Sequence, residues 1–513
     1  MATVDVPSVQ SVFREIMLAR RRIYRIDAPT PVEALPLPSG GQLWVKREDR
    51  SRNHSFKWRG AANRMALLVE RGEGNAVVAA SAGNHAQGVA LAAAQLSLRA
   101  TIFMPRSTPL IKQSAVRAFG GKWVEVRLEG DTFDETAAAA RQLSEETGAV
   151  LVHPFDDLHV IAGQGTIGDE LVQACLPIDT VYVCVGGGGL AAGVGAALSV
   201  LDPSIEVVGV EAEGQAGMHA ALDAGAPVTL DKVDLFCDGS AVRRVGDLTY
   251  GLCRQVLTRT IKVSNDQVCA AIEKVWANLR VVPEPSGALG VAAALAEAAT
   301  GNGPRNPLAV LSGSNLDFMT LPKIARRSAI GRSARRFYAF DIDERSGSLV
   351  SLLHQIGDGC NIVEFQYGKT AREKARPVIG FEASPEALSE LAEKLRAIGV
   401  PHTDVTGHQS VDLRAIPVRP DLFQNPLFAA VTFPDRGGAL RELMDAIGAH
   451  ASICYFNFAS SGETQGRAMM AFELDPKLDR QAFLQLVDEA GDHIEEMAPE
   501  EIPFHLPDVG ARL

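Results

Sequence analysis

The stretch TVYVCVGGGGLAAGVGAAL, residues 180–198, predicts the fold more directly than any other part of the sequence. A short valine-rich run leads into four successive glycines, and an alanine-rich stretch follows them. This order predicts a buried strand, a glycine loop and a helix. Glycine lets the backbone approach a ligand closely, and a helix start offers N–H groups to an anion. We therefore expect a phosphate-binding loop here, with a flexible connector as the alternative.

Valine- and isoleucine-rich runs alternate with alanine-rich stretches from about residue 43 to residue 315. The predicted strands are AVVAAS (76–81), ATIFMP (100–105), WVEVRL (123–128), VLVHPF (150–155), TVYVCVGG (180–187), IEVVGVEA (205–212) and LAVLSGSN (308–315). The predicted helices include HAQGVALAAAQL (85–96), LIKQSAVRAFG (110–120), TAAAARQLSEETG (136–148) and ALGVAAALAEAA (288–299). This alternation predicts an α/β domain with a largely parallel sheet, whose ligands bind at the carboxyl ends of the strands.

The sequence changes character after the basic stretch LPKIARRSAIGRSARR (321–336). Two similar segments follow, and each has the pattern strand, helix, strand, strand, helix. This internal repeat predicts two ferredoxin-like α+β units, and a coincidence between two unrelated segments is the alternative. The predicted domains are a catalytic domain over 1–322, a linker over 323–336, and repeated units over 337–410 and 424–505.

Composition and charge exclude several classes of protein. A net charge of −12 argues against a nucleic-acid-binding protein, which would present a basic face. The seven cysteines contain no C-x-x-C, which argues against a disulfide framework or a zinc site and favours a reducing compartment. No apolar stretch is long enough to cross a membrane. We expect a cytoplasmic protein with neither nucleic acid nor membrane as a partner.

The N-terminal segment has no apolar core of the kind found in secretory signals. Its basic run LARRRIYR could also occur in an organelle transit peptide. The apolar positions Val12, Ile16 and Leu18 favour instead the first helix of the fold.

Two further segments could carry chemistry. SFKWRGA (55–61) contains a lysine that, taken alone, is most simply a solvated surface residue. SAGNHAQG (81–88) ends a predicted strand and opens a predicted helix, so its backbone N–H groups could bind an anion. A tight turn with an asparagine cap would have the same composition.

Taken together, five motifs in one order resemble the threonine/serine dehydratase family of pyridoxal-phosphate enzymes. These motifs are SFKWRGA (55–61), SAGNHAQG (81–88), GGGGL (186–190), PEPSGA (283–288) and LSGSN (311–315). The resemblance implies the two-lobed fold of the tryptophan-synthase-β type, which is PLP fold type II. The repeated C-terminal units are similar to the ACT-like regulatory units of the biosynthetic threonine dehydratases.

The resemblance implies a role for each motif, with pyridoxal 5'-phosphate as cofactor. Lys57 would bond to the cofactor aldehyde and, once released by substrate, would remove the Cα proton. Phe56 would pack beside the ring, Asn84 would bind its phenolic oxygen, and Ser312 would meet the pyridine nitrogen. The implied phosphate-binding residues are Gly186, Gly187, Gly188, Gly189 and Leu190. The implied substrate-binding residues are Ser81, Gly83, Asn84 and His85.

Two positions limit what the resemblance can imply. Serine racemases of this fold carry a serine as second acid and base where this chain has Ala82, so we expect elimination with a single base. Glu211 is the nearest candidate metal ligand, but the acidic partners that some relatives carry are replaced by Gln215 and Gly217. We therefore assign no metal ligand.

The implied reaction is the conversion of L-threonine, and of L-serine, by β-elimination. Threonine would give 2-oxobutanoate and ammonia, with isoleucine as inhibitor, valine as activator and a homotetramer as the assembly. The second unit has the family's turn in FPDRGGALRELMDAIG (433–448), whereas DIDERSGSL (341–349) in the first lacks its proline. The alternatives are a serine-preferring dehydratase, an amino-acid-sensing protein on an inactive enzyme scaffold, and C-terminal units that serve only in assembly.

Overall fold

The computed structural model describes residues 5–502, except 38–39, 302, 415, 425, 449, 461, 476–477, 490–491 and 499–500. The chain divides into two units, Met1–Gly331 and Arg332–Leu513. Within the described residues, no helix combines the length and the apolar character that crossing a membrane requires.

The first unit alternates strands and helices along most of its length. Its strands are β1 (Val32–Pro36), β2 (Gln42–Arg47), β3 (Ala76–Ala80), β4 (Arg99–Met104), β5 (Val124–Leu128), β6 (Val150–Leu151), β7 (Thr180–Cys184), β8 (Glu206–Ala212), β9 (Arg259–Val263) and β10 (Pro307–Leu311). Its helices are α1 (Val9–Ile23), α2 (Lys57–Arg71), α3 (Asn84–Leu96), α4 (Leu110–Gly120), α5 (Phe133–Thr147), α6 (Leu158–Gln173), α7 (Gly189–Leu201), α8 (Gly217–Ala224), α9 (Asp247–Val256), α10 (Asn265–Leu279), α11 (Pro285–Ala299) and α12 (Leu321–Gly331).

These strands form two sheets, one in each lobe. The larger sheet has the order β1-β2-β10-β7-β8-β9, and the smaller has the order β5-β4-β3-β6. Every neighbouring pair is parallel except β1 with β2. The predicted two-lobed α/β fold with largely parallel sheets is therefore confirmed. Strands β1, β2 and β9 were not predicted, because their mixed polar and apolar residues resemble loop sequence.

The first helix is confirmed, but one of the three apolar positions that indicated it is not buried. Val12 and Ile16 are fully buried together with Ala19 and Ile23, whereas Leu18 is 38% exposed. Buried positions on a helix recur every three or four residues. Leu18 follows Ile16 by only two residues, so it lies on a different face.

The stretch at 323–336, predicted as a linker or linker helix, is mostly helical in the structure. Most of it belongs to α12, which packs against α10. Nε of Arg327 forms an ion pair with Asp266 over 2.6 Å, and Gly331 has no room for a Cβ beside the backbone of α10. The stretch is therefore a helix of the first unit, and the second unit begins at Arg332.

The second unit contains the repeat as two α+β halves on one sheet. Its strands are β11 (Arg335–Phe340), β12 (Ile342–Asp343), β13 (Asn361–Gly368), β14 (Lys374–Ala375), β15 (Val378–Glu382), β16 (His402–Asp404), β17 (Leu427–Pro434), β18 (Ala451–Ala459), β19 (Gln465–Leu474) and β20 (His493–Glu496). Its helices are α13 (Ser348–Ile356), α14 (Pro385–Ile398), α15 (Gln409–Asp412), α16 (Ala439–Ile447) and α17 (Arg480–Glu489).

The eight-stranded antiparallel sheet has the order β16-β11-β15-β13-β18-β19-β17-β20. Strands β13 and β18 join the halves, and the rings of Phe365 and Phe456 stack across them at 4.4 Å. Each half ends on one strand more than the predicted pattern, β16 and β20, and thereby completes a βαββαβ order. These last strands are short and polar, so apolar patterning does not reveal them.

Candidate active site

Two motifs that lie about 250 residues apart in sequence are joined by backbone pairing. Ser55 and Gly313 form an antiparallel bridge, and the N–H of Phe56 donates to the carbonyl oxygen of Ser312 over 3.0 Å. Helix α2 begins at the next residue, Lys57. The segment that carries the lysine is thus fixed to the carboxyl end of β10, in agreement with the expected position of ligands in such sheets.

The amine of Lys57 lies between the two lobes. Its Nζ donates to the carbonyl oxygen of Pro154 over 3.1 Å and lies 5.2 Å from the centre of the Phe56 ring. Loss of water around the amine lowers the pKa of Lys57 to about 8, against the opposing charges of Cys184 and Glu284. A larger fraction of this amine than of an ordinary lysine is therefore uncharged near neutral pH, as a nucleophile or a general base must be.

The glycine loop after β7 has room only for glycine. A Cβ at Gly186 would lie 2.8 Å from the carbonyl oxygen of Ser240, and a Cβ at Gly187 would overlap the ring of Phe155. Gly188 adopts a φ of 96°, which favours glycine. These close approaches explain the glycine run that the sequence contains.

The start of α7 provides the anion-binding part of this loop. The first helical hydrogen bond runs from the N–H of Ala192 to the carbonyl oxygen of Gly188 over 2.9 Å. The N–H groups of Gly189 and Leu190 precede that bond and therefore remain outside the helical ladder. Together with the positive end of the helix dipole, they fit a phosphate group.

We predict that Gly187→Ala weakens the binding of pyridoxal phosphate roughly tenfold or more, because the ring of Phe155 must move to admit the methyl group. Titration of the cofactor-free protein measures the effect. Gly359→Ala is the matched control, since a Cβ there meets no atom within 4 Å. Equal affinities for the two variants would contradict the assigned role of the loop.

Ser312 lies directly after β10, beside the end of the neighbouring strand β7. It is 2% exposed, and its hydroxyl accepts from the thiol of Cys184 over 3.3 Å. The same hydroxyl is within 3.5 Å of the carbonyl oxygen of Ser286, to which it can donate. A buried neutral hydroxyl at this place can serve a ring nitrogen as a hydrogen-bond partner without adding charge.

The segment with Ser81, Gly83, Asn84 and His85 forms the turn between β3 and α3. The N–H of Gly83 donates to the hydroxyl of Ser81 over 3.2 Å, and α3 begins at Asn84. The first helical bond runs from Gln87 to the carbonyl oxygen of Gly83 over 3.3 Å. The N–H groups ahead of it are outside the ladder, which suits a carboxylate ligand.

The side chain of His85 turns away from this turn into the protein. It is 3% exposed, and its Nε2 lies 2.9 Å from the carbonyl oxygen of Val152. Burial, and then the positive charge of Lys57, lower the pKa of His85 to about 3, so the ring is neutral.

The sequence interpretation missed several residues that the structure brings to this site. The loop after β6 supplies the carbonyl of Pro154 and the ring of Phe155, although VLVHPF was predicted as a strand and only its first two residues form one. Glu284 accepts from the amide of Asn84 over 2.6 Å, and Asn315 donates to that amide over 2.7 Å. Both residues stand inside quoted motifs, PEPSGA and LSGSN, and that was the available signal.

Glu284 is an unusual group in so apolar a place. It is 5% exposed, and burial, followed by the negative charge of Asp238, raises its pKa to about 7. Ionisable groups with such shifted pKa values cluster at functional sites.

The carboxylate of Glu211 is engaged by backbone. It accepts from the N–H groups of Met218 and His219, each over 2.8 Å, and burial raises its pKa to about 7. Among the residues that the structure describes, no cluster of three or more His, Cys, Asp or Glu side chains is arranged to hold a metal ion.

Two family models match this chain. Residues 23–313 match the family described as pyridoxal-phosphate dependent enzyme. Residues 326–413 and 422–506 match the C-terminal regulatory domain of threonine dehydratase.

Individual relatives extend over nearly the whole chain. The chain is 37% identical to the biosynthetic L-threonine dehydratase of Pasteurella multocida (strain Pm70) over 92% of each chain. It is 39% identical to that of Escherichia coli (strain K12), over 89% of this chain and 90% of the relative. The solved structure of the processed threonine deaminase isoform 2 from Solanum lycopersicum matches with a TM-score of 0.60 and 39% identity, covering 63% of this chain and 90% of that one. The chain therefore belongs to the biosynthetic threonine dehydratases, a family of pyridoxal-phosphate-dependent enzymes.

Proposed function

We propose that the protein deaminates L-threonine to 2-oxobutanoate and ammonia by β-elimination, as the first committed step of isoleucine biosynthesis. L-Serine is proposed as a second substrate. The observation that carries the proposal is the amine of Lys57, with its pKa lowered to about 8, in the cleft that the glycine loop also borders. Membership of the biosynthetic threonine dehydratases supplies the substrate class.

The residues of the cleft fit pyridoxal phosphate. We assign the aldehyde to Lys57, the phosphate to the loop at 186–190, the pyridine nitrogen to Ser312 and the phenolic oxygen to Asn84. Two observations support the phosphate assignment. The loop has room only for glycine, and the first N–H groups of α7 lie outside the helical hydrogen bonds. When bound, the cofactor supplies an electron sink for the negative charge that develops at Cα.

The protein's own groups then account for elimination. Lys57 takes the Cα proton as its uncharged amine, and the carbonyl oxygen of Pro154 orients that amine. The N–H groups at the start of α3 bind the substrate carboxylate and so hold the Cα–H bond toward Lys57. The hydroxyl of Ser312 does not enforce protonation of a ring nitrogen as a carboxylate would, which favours prompt departure of the β-hydroxyl. The proton that Lys57 has taken from Cα can pass to that hydroxyl, which then leaves as water.

The test is a keto-acid assay on the purified protein with threonine and with serine. Formation of 2-oxobutanoate and ammonia in equal amounts supports the proposal. A higher kcat/KM for serine would favour the serine-preferring dehydratase, since one methyl group changes binding by only about 1–3 kcal/mol. A protein that binds amino acids but forms no keto acid would instead be a sensor on an inactive scaffold.

We predict that racemisation of threonine at Cα is negligible beside elimination. Ala82 has no group that can hold a proton, so the face of Cα opposite Lys57 lacks an acid. Chiral chromatography of the remaining substrate measures this, and Ala82→Ser is expected to raise racemisation slightly. Isomerised threonine formed at a rate near that of elimination would rule out the single-base mechanism.

Two grooves in the second unit support a role in binding amino-acid effectors. Each combines the helix start of one half with the neighbouring edge of the other half, and the glycine before each helix has a φ near 85° (82° at Gly347 and 86° at Gly438). Residues of the first groove include Leu349, Val350, Met444, Ile447 and Ile453. Residues of the second groove include Leu353, Ile362, Phe433, Leu440 and Arg441. Apolar walls beside a helix start complement a branched side chain and a carboxylate.

We predict that isoleucine shifts half-saturation by threonine to a concentration about fivefold higher or more and makes the curve sigmoidal. Valine is expected to counteract this effect of isoleucine. The initial rate is measured against threonine concentration, with and without millimolar isoleucine. The chain truncated after Gly331 should keep its turnover per bound cofactor and lose the response. Identical curves for the full-length enzyme would mean that the second unit serves assembly alone.

The assembly and the compartment are proposals of the same kind. Sigmoidal saturation needs more than one active site, and we propose a homotetramer, which light scattering of the full-length protein tests. We propose the cytoplasm as its compartment, because all seven cysteines are free thiols and six of them are buried.

A further inference from the structure

The side-chain amide of Asn84 is held between two polar neighbours from other motifs. Its Nδ2 donates to Oε1 of Glu284 over 2.6 Å, and its Oδ1 accepts from Nδ2 of Asn315 over 2.7 Å. The pKa of Glu284 is about 7, and once ionised its carboxylate can only accept a hydrogen bond, whereas the NH2 group of an amide can only donate one. Asn84 therefore satisfies both neighbours in a single orientation, with its NH2 group toward Glu284.

The orientation of Asn315 is itself set by the backbone. Its Nδ2 also donates to the carbonyl oxygen of Asn53 over 2.9 Å. A backbone carbonyl accepts and never donates. If the amide of Asn315 were turned around, its oxygen would face the carbonyl oxygen of Asn53 and the Oδ1 of Asn84, and both hydrogen bonds would be lost. The direction of all three hydrogen bonds thus follows from one main-chain group in the segment that precedes Lys57.

The position of Glu284 is equally constrained. It precedes the first residue of α11, and its N–H donates to the carbonyl oxygen of Gly313 over 3.2 Å. A Cβ at Gly313 would lie 2.6 Å from Oε1 of Glu284. Glycine at this position of the LSGSN motif therefore leaves the room that the carboxylate occupies.

We propose that Glu284 and Asn315 are positioning residues that orient Asn84, so that the second N–H of its amide faces the phenolic oxygen of the cofactor. The inference rests on the proposed function, since it takes Asn84 to be the partner of that oxygen. The phenolic oxygen carries negative charge, which an N–H stabilises and an amide oxygen would repel. Neither positioning residue needs to contact the cofactor itself.

The test uses the full-length, cofactor-free protein titrated with pyridoxal phosphate and followed by visible absorption. Asn315→Asp replaces the donor with a carboxylate that opposes Oδ1 of Asn84, so the amide is expected to turn around. The dissociation constant should then rise roughly tenfold or more, and the absorption maximum of the bound cofactor should move. Glu284→Gln keeps an acceptor oxygen and should change both quantities less than Glu284→Ala.

The controls separate positioning from a structural role. Asn278→Asp makes the same substitution on the exposed face of α10 and should leave the titration at its wild-type value. In an Asn84→Ala background, Asn315→Asp should change the affinity less than it does in the wild type, because only its effect at the carbonyl of Asn53 remains. An Asn315→Asp protein that melts lower yet keeps the wild-type absorption maximum and affinity would overturn the inference. If the wild-type chain takes up no pyridoxal phosphate on Lys57, the proposed function fails, and this inference with it.

Discussion

Replacing Lys57 with alanine is expected to abolish covalent attachment of the cofactor and to lower threonine turnover by about three orders of magnitude or more. The same amine is proposed to hold the aldehyde and to take the Cα proton, and alanine can do neither. The fold should persist, because Lys57 is the first residue of α2 and alanine fits a helix equally well. The substitution removes the hydrogen bond from the amine to the carbonyl of Pro154 and leaves the backbone in place. Keto-acid formation and circular dichroism measure the two effects.

Chemical labelling tests the assignment directly. Borohydride reduction of the cofactor-loaded protein, followed by peptide mapping, should place the pyridoxyl group on Lys57 alone. Lys122→Ala is the control variant, since this exposed lysine lies beside the ring of Trp123 and should leave label and turnover unchanged. A pyridoxyl group on any other lysine would refute the role of Lys57.

Arg59→Ala is expected to destabilise the first unit by about 3–5 kcal/mol. The guanidinium of Arg59 is fully buried and forms ion pairs with Glu48 over 2.8 Å and with Glu170 over 2.5 Å. Lys46 is also within 2.5 Å of Glu170, so two cations and two carboxylates share one buried cluster. Removing Arg59 leaves the two carboxylates, Glu48 and Glu170, with Lys46 as the remaining cation of the cluster in a place that water does not reach, and the cost of that uncompensated charge is large.

The tryptophans make this effect measurable in one unit of the chain. All four tryptophans of the sequence, Trp44, Trp58, Trp123 and Trp276, lie in the first unit, so their fluorescence follows its unfolding. We expect the urea midpoint of Arg59→Ala to lie far below that of the wild type. The midpoint of Arg59→Lys should be intermediate, because lysine keeps the charge but lacks the planar set of N–H donors of the guanidinium.

An exposed ion pair provides the comparison for Arg59. Arg127 pairs with Glu125 over 2.8 Å at the surface, where solvent weakens the interaction, and Arg127→Ala should leave the midpoint close to wild type. A midpoint for Arg59→Ala that equals that of Arg127→Ala would show that the buried cluster contributes little to stability.

Much of the fold could be predicted from the sequence, because its signals are local. Helix α4 has the predicted bounds 110–120, and β3 and β4 lie within one residue of prediction. The alternation of apolar runs and alanine-rich stretches reflects the side-chain periodicity of strands and helices, which does not depend on the elements they pack against. The segments that were missed, such as β9 and β20, are short and owe their strand conformation to neighbouring strands.

The candidate site divides in the same way. The parallel α/β class, the repeat in the second unit, and the motifs that contain Lys57, Asn84, the glycine loop and Ser312 could all be recognised in the sequence. The hydrogen bond that Glu284 receives from Asn84, 200 residues earlier, and the inward turn of the His85 side chain became visible in the folded chain. Residue type and periodicity are properties of a short segment, whereas burial, hydrogen-bond direction and pKa depend on groups that folding brings together from distant parts of the chain.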